Sequence, residues 1–149
     1  MMAVISSPAE YPSGVVGFTG TRNGMSEAQK ETFRRFVRGC SKLHHGDCIG
    51  ADADAHEIAQ SLGIGVRIHP PKNEKLRAFC KGAEFVHAPK PYPVRNADIV
   101  NATQSLIACP KEYSEGTGGT WQTIRMANEQ NKRVIVIWPN GATSEYSPI

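Results

Sequence analysis

The chain has 149 residues, of which 40% are apolar and 21% charged, and its formal net charge is +3. A chain of this size buries about two-thirds of its unfolded surface, so it needs no disulfide or metal to fold. The composition excludes a disordered chain, a coiled coil and a fibrous repeat. No apolar run reaches the roughly 18 residues of a membrane span, and the first 14 residues lack the pattern of a signal peptide.

The chain contains four cysteines: Cys40, Cys48, Cys80 and Cys109. Their spacing fits neither a metal finger nor a redox motif, so we expect free thiols in a reducing cytoplasm. His44, His45 and Cys48 suggest a metal site, but no fourth ligand follows at a suitable spacing. We therefore expect no metal and no cofactor.

Residues 1–14 carry no periodic pattern and are interpreted as an N-terminal extension, and residues 15–149 as one domain. The apolar run at 15–18 predicts a buried strand. Ser26 begins a helix, because Gln29 completes a capping box and an apolar stripe follows at helical spacing. The next predicted elements are a strand at 43–46, a helical stripe at 55–62 and a strand at 66–68.

The second half of the chain begins with a basic, irregular segment at 72–83, which predicts a surface loop. The elements predicted after it are a strand at 84–87, a helix over 93–102, a strand at 105–109, a helix from about residue 121 and a strand at 134–138. Continuous apolar strands that alternate with helices indicate a parallel sheet covered on both faces. We therefore predict an α/β fold, a single doubly wound domain with a mostly parallel sheet.

Three glycine-rich loops follow predicted strands, at residues 17–23, 45–52 and 116–120. Doubly wound folds bind ligands at the carboxyl ends of their strands. Glycines let backbone N–H groups approach an anion, and the third loop opens a helix whose dipole favours a phosphate. The alternative is that each set of glycines serves only its turn. Neither a Walker A motif nor G-x-G-x-x-G is present.

These loops and the segment after the prolines supply our ligand-binding candidates. The candidates from the loops are Gly17, Thr19, Gly20, Thr21, Arg22, Gly46, Gly50, Gly116, Gly118, Gly119 and Thr120. Arg95 and Asn96 join them, because they follow a proline-rich loop at a predicted helix start, where an anion would lie. A solvent-exposed Arg95 is the alternative.

The order of these motifs resembles the SLOG superfamily. The motifs are GFTGTR, HGDCxGAD, Tyr-x-x-Arg-Asn and GTGGT before a helix, within about residues 15–138. The superfamily includes the cytokinin-activating "lonely guy" phosphoribohydrolases, DNA-processing Rossmann proteins and the small YpsA-related nucleotide-binding domains, which this chain resembles most. The resemblance implies a Rossmann-like fold, a nucleotide or nucleotide-derived ligand and a homo-oligomer.

The resemblance also bears on catalysis. In the phosphoribohydrolases, an Arg before the fifth strand and a Glu just after the glycine-rich loop carry out the cleavage of an N-glycosidic bond. Arg95 matches the first of these, whereas Gln122 lies where an acid is expected. Alternative acids are Asp47, Asp52, Glu112 and Glu115, with His45 or Asp52 as proton donor to the leaving base. We take Asp52 and Arg95 as the catalytic candidates, although an Asp at a helix start is also a common N-cap.

Three functions follow from these observations. The first is a nucleotide-binding or sensing domain, and the second is an N-glycosidase that cleaves nucleoside 5′-monophosphates or related ribosyl ligands. The third is single-stranded DNA binding, against which the small net charge and the absence of a basic–aromatic stripe argue. We expect a small-molecule nucleotide as the partner and no membrane contact.

Overall fold

The computed structural model describes the backbone of residues 3–4 and the whole of residues 10–147, so most of the predicted extension lies outside the described residues. The strands in this part are Ala3–Val4 (β1), Gly14–Gly20 (β2), Cys40–His45 (β3), Gly65–Ile68 (β4), Phe85–Val86 (β5), Ser105–Cys109 (β6), Arg133–Ile137 (β7) and Thr143–Glu145 (β8). The helices are Glu27–Val37 (α1), Ala51–Ser61 (α2), Tyr92–Ala102 (α3) and Gly119–Glu129 (α4). No helix in the described part of the chain is long and apolar enough to cross a membrane.

All eight strands form one sheet in the order β1-β8-β7-β6-β2-β3-β4-β5. Strands β2 to β7 pair in parallel, and β8 runs antiparallel to both β7 and β1. Helices α1 and α2 pack against one face of the sheet, and α3 and α4 against the other. The predicted α/β fold with a mostly parallel, doubly wound sheet is therefore confirmed.

The N-terminus of α1 is fixed against the ends of β6 and β7. Ser26 and Gln29 form the predicted capping box, a device that stabilises a helix by about 1 kcal/mol. The Gln29 side chain is buried, and its Nε2 donates to the carbonyls of Pro110 and Ile137 over 2.9 Å each. These carbonyls lie at the ends of β6 and β7, so one amide fixes α1 against the strand ends that border the site described below.

Some elements differ from their predicted bounds. Strand β3 begins at Cys40, where the chain alternates between buried and exposed residues that gave no continuous apolar run. Helix α2 begins at Ala51, because its first turn is capped by the backbone of Gly50 and precedes the apolar stripe. Strand β8 was not predicted: Thr143–Glu145 is short and polar, and pairs with β7 through its backbone.

Candidate ligand-binding cleft

A cleft of about 660 Å³ opens at the carboxyl ends of β2 and β6. Strand β2 pairs with β3 on one side and with β6 on the other, so the strand order reverses at this point. The loops after these two strands and the first turns of α3 and α4 form the walls of the cleft. In open α/β sheets ligands bind at such a reversal.

Most of the site residues predicted from the sequence meet in this cleft. Those that line it are Thr19, Gly20, Thr21, Arg22, Gly46, Asp52, Arg95, Asn96, Gly116, Gly118, Gly119 and Thr120. Gly17 and Gly50 do not border it. A Cβ atom at Gly17 would lie 3.0 Å from Ile99 of α3, and one at Gly50 would collide with the carbonyl of Arg22. Both glycines allow close packing behind the cleft.

The start of α4 offers unpaired backbone donors to the cleft. Gly118 is the N-cap and supplies no side chain, and the first N–H groups of a helix have no partner within it. A Cβ atom at Gly118 or Gly119 would meet nothing within 4 Å, so both residues border open space. Gln122 fixes the loop from behind, because its Nε2 donates to the Thr117 carbonyl over 3.1 Å. This corner can hold an anion, which the helix dipole also favours.

Two cations border the same cleft. Arg22 and Lys111 are both exposed, and neither forms an ion pair with any residue that the structure describes. Lys111 was not a sequence candidate, and its position directly after β6 and Pro110 is the signal that would have found it. The two side chains give the cleft positive charge for an anionic ligand.

Arg95 is buried, with 6% of its surface exposed, so the solvent-exposed alternative is wrong. Its Nε donates to Asn96 Oδ1 over 2.7 Å, and its Nη1 donates to the carbonyls of Gly46 and His69. Its Nη2 contacts the sulfur of Cys48 at 3.6 Å. A guanidinium has five N–H donors, so one Nη2 hydrogen remains for a ligand. A Cβ atom at Gly46 would displace the guanidinium from this position.

Tyr92 lies between the two arginines of the cleft. The Arg22 guanidinium is 5.9 Å and the Arg95 guanidinium 5.3 Å from the centre of its ring. Its hydroxyl oxygen is buried and has no hydrogen-bond partner among residues 10–147. A buried hydroxyl without a partner costs free energy, which a ligand that bonds to it would recover. The sequence indicated this residue only through the Tyr-x-x-Arg-Asn motif.

Asp52 lies at the bottom of the cleft and is 7% exposed. Burial raises the pKa of its carboxyl group to about 6, although the nearby Arg95 cation lowers it. The carboxylate accepts the Cys48 backbone N–H over 3.1 Å. The N-cap of α2 is Gly50, so the capping alternative for Asp52 is wrong. A carboxyl group that titrates near neutral pH can accept or donate a proton.

Of the other acid and proton-donor candidates, two lie outside the cleft and two lie on its rim. Asp47 is fully buried and accepts Arg77 Nε over 2.8 Å, while His45 is fully buried and bonds to His56. Neither borders the cleft, so neither can act on a ligand there. Glu112 and Glu115 do line the cleft, on its exposed rim. Glu115 also binds Arg125 Nη1 at 2.7 Å.

The group of His44, His45 and Cys48 is not brought together. His44 and His45 are neighbours on β3, and their side chains therefore lie on opposite faces of the sheet. His44 Nδ1 bonds to His69, and Cys48 faces Arg95 in the cleft. These three residues cannot share a metal ion.

The fold is shared with several solved structures, all of low sequence identity. A molybdenum cofactor binding protein from the phototrophic bacterium Rippkaea orientalis superposes with a TM-score of 0.63 at 18% identity, over 87% of this chain and 77% of that chain. DNA processing protein A from Streptococcus pneumoniae gives a TM-score of 0.58 at 18% identity, over 87% of this chain and 51% of that chain. The chain therefore shares the Rossmann-like fold of these proteins.

A third protein with this fold is the Moco carrier protein from Chlamydomonas reinhardtii, with a TM-score of 0.57 at 17% identity over 84% of this chain and 76% of that chain. No family model matches the sequence, and no curated protein matches it closely enough to count as a relative. The likeness is therefore one of fold.

Proposed function

We propose that the cleft binds a nucleotide or a nucleotide-derived small molecule, and that the protein is a binding or sensing module. The phosphate lies against the backbone N–H groups of Gly118 to Thr120. The observation that carries this proposal is the start of α4, which lines the cleft and has no side-chain cap on its first N–H groups. An anion there gains several charge-assisted hydrogen bonds.

The rest of the cleft suits the organic part of such a ligand. Tyr92 offers a hydroxyl without a partner among the described residues, and Arg22 lies at the rim. Asp52 can accept a hydrogen bond from a ribose hydroxyl. Two of the proteins with the same fold are described as binding or carrying the molybdenum cofactor, which supports a small-molecule occupant.

The experiment is a calorimetric titration with adenosine and guanosine 5′-monophosphates and with the corresponding nucleosides. We expect a nucleotide to bind at least about tenfold more tightly than its nucleoside, because charged hydrogen bonds contribute about 1.5–3 kcal/mol each. Gly118→Val should abolish this preference, because it adds a branched side chain to the residue that lines the cleft at the start of α4. The variant should fold normally, since a Cβ atom at Gly118 touches nothing.

The matched control is Gly39→Val. Gly39 is also roomy, with its nearest neighbour 3.9 Å from a built Cβ atom, and it does not border the cleft. This variant should bind nucleotides as the wild type does. Equal affinity of wild type and folded Gly118→Val for every phosphorylated ligand that binds would contradict the proposed phosphate site.

One observation favours a second candidate, an N-glycosidase. Asp52 is a buried carboxyl group in the cleft whose pKa burial raises to about 6, beside the remaining Arg95 donor. Such a group can stabilise positive charge on ribose when ionised, while water attacks C1′ and the base leaves with a proton. The test is incubation with nucleoside 5′-monophosphates, followed by chromatographic detection of free base and ribose 5-phosphate.

A further inference from the structure

Three histidines outside the cleft meet on the α3 face of the sheet, and we call them the histidine trio: His44, His69 and His87. They lie at the carboxyl ends of three adjacent parallel strands, β3, β4 and β5. One ring nitrogen from each lies within 4.8 Å of the others. His44 and His69 are buried, and His87 is partly exposed. The trio is thus a compact set of imidazoles with one side open.

The hydrogen bonds of the trio are incomplete. His44 Nδ1 and His69 Nε2 are 2.8 Å apart and share one proton. The His87 ring stacks on His69 with centres 4.1 Å apart, but its buried Nε2 has no hydrogen-bond partner among the described residues. A buried imidazole nitrogen left unpaired costs about 1–3 kcal/mol. The unpaired His87 Nε2 therefore indicates that the trio binds a further group.

A second group of possible ligands, His45, His56 and Cys80, provides a contrast. The Asp47 backbone N–H donates to His45 Nδ1, so the His45 proton is on Nε2. That Nε2 donates to His56 Nδ1 over 2.9 Å, and His56 Nε2 donates to the Lys81 carbonyl over 2.7 Å. Every ring nitrogen of this group has a partner, and no lone pair is left for a metal.

The trio is neutral at physiological pH, which is the form that binds metals. Burial, followed by the neighbouring His87, lowers the pKa of His44 to about 4 and that of His69 to about 3. Burial also lowers the pKa of His87. The nearby charges are paired with one another, Arg67 with Glu84 and Lys90 with Asp98. The Arg95 guanidinium also lies near His69, where its Nη1 donates to the His69 carbonyl. A divalent cation would therefore meet neutral donors, with the Arg95 cation behind one of them.

We propose that the histidine trio binds Zn²⁺ through one nitrogen of each ring. Imidazole ligands without a carboxylate favour Zn²⁺ and its transition-metal neighbours over Mg²⁺ and Ca²⁺. A zinc–nitrogen bond of about 2.0–2.1 Å requires ring nitrogens about 3.3 Å apart and an ion close to the plane of each ring. The His87 ring therefore has to turn out of its stack on His69 for its Nε2 to reach the ion. The ion takes the place of the proton between His44 Nδ1 and His69 Nε2, and this proton moves to the second nitrogen of the ring that carried it. The open side of the trio, next to His87, leaves a fourth position for water.

The experiment is a calorimetric titration of ZnCl₂ into the full chain after treatment with a chelator. We expect one ion per chain in the wild type. His87→Phe keeps the ring stacked on His69 but removes the nitrogens, and should weaken Zn²⁺ binding at least about a hundredfold, because loss of a mere supporting partner already costs 10–100-fold. His87→Ala should do the same, which separates loss of the ligand from crowding by the phenyl ring.

The matched control is Cys80→Ser, which alters the group of His45, His56 and Cys80 and keeps a side-chain donor for Asp47. This variant should bind Zn²⁺ with the affinity and stoichiometry of the wild type. The Co²⁺ complex of the wild type should show ligand-field bands without a thiolate charge-transfer band. The proposal is overturned if the wild type takes up no Zn²⁺, if both folded His87 variants bind as the wild type does, or if Cys80→Ser abolishes binding.

Discussion

Arg95 and Asp52 share the cleft but serve different purposes at the level of single side chains. The Arg95 guanidinium uses most of its donors on the carbonyls and side chains that surround it, so it holds the strand ends together and offers one hydrogen to a ligand. Asp52 accepts one backbone N–H and keeps further acceptor capacity. Substitution of Asp52 therefore reports on ligand chemistry more cleanly than substitution of Arg95.

Asp52→Asn distinguishes the two candidate functions. If the protein is a glycosidase, the variant should release base several orders of magnitude more slowly than the wild type, because the amide cannot stabilise a developing cation. Asp54→Asn is the matched control: Asp54 is also in the first turn of α2, accepts the Met25 N–H over 2.8 Å and does not border the cleft. If the wild type and Asp52→Asn release base at equal rates, Asp52 is not catalytic. If neither releases base, the glycosidase candidate is excluded and the binding module is retained.

The same residue predicts a pH dependence of stability. Burial raises the pKa of the Asp52 carboxyl from 3.8 to about 6. Between pH 3.8 and about pH 6, therefore, this carboxyl is protonated in the folded protein and ionised in the unfolded chain. The stability from this group is complete below about pH 3.8 and lost as the pH rises through about 6, a change of about 3 kcal/mol. Urea unfolding should show Asp52→Asn gaining about this much stability relative to the wild type between pH 4 and pH 7. Parallel stability curves would contradict the raised pKa.

At the scale of elements, the start of α2 is the tightest contact behind the cleft. Gly50 has φ +90° and ψ −128°, a conformation suited to glycine, and its Cα faces the carbonyl of Arg22. The Ala51 N–H donates to the Thr21 carbonyl over 2.9 Å. The position of the loop after β2 thus depends on the absence of a side chain at one residue of α2.

Gly50→Ala should lower the free energy of unfolding by more than about 3 kcal/mol, because it adds a collision to the backbone strain. Gly63→Ala is the matched control, since Gly63 also has a positive φ, +73°, but a Cβ atom there meets nothing within 4 Å. It should cost only about 1–2 kcal/mol of left-handed strain. Chemical denaturation of both variants measures the difference, and equal losses would mean that the Arg22 contact adjusts at no cost.

Local signals explain which elements the sequence could predict. The capping box and the apolar stripe determine α1 within a few residues, and a continuous apolar run predicts β6 at its observed bounds. Strand β8 has neither signal, because its pairing with β7 uses backbone groups that every residue has. The sequence placed Asp52 at the start of α2 but did not identify Gly50 as its N-cap, since a glycine N-cap leaves no side chain to recognise.

At the scale of the whole molecule, prediction of the site depended on the rule that parallel strands end at one edge of the sheet. That rule gathered the loops around Arg22, Gly46 and Gly118 correctly. It could not separate Gly17, which faces α3, from Gly20, which lines the cleft, because this depends on tertiary packing. The histidine trio gave no sequence signal, since its members come from three strand ends far apart in the chain.

The reversal of strand order at β2 also has a consequence for how the chain folds. The backbone N–H of Val15 bonds to Gln104, 89 residues later, whereas the pairing of β2 with β3 closes a much shorter loop. Closing the longer loop costs more chain entropy, which favours early assembly of β2 to β5 and later docking of β6 and β7. The cleft lies on the seam between these two halves. During synthesis on the ribosome its two walls meet only after the C-terminal half has emerged, so the cleft is completed in the last stage of folding.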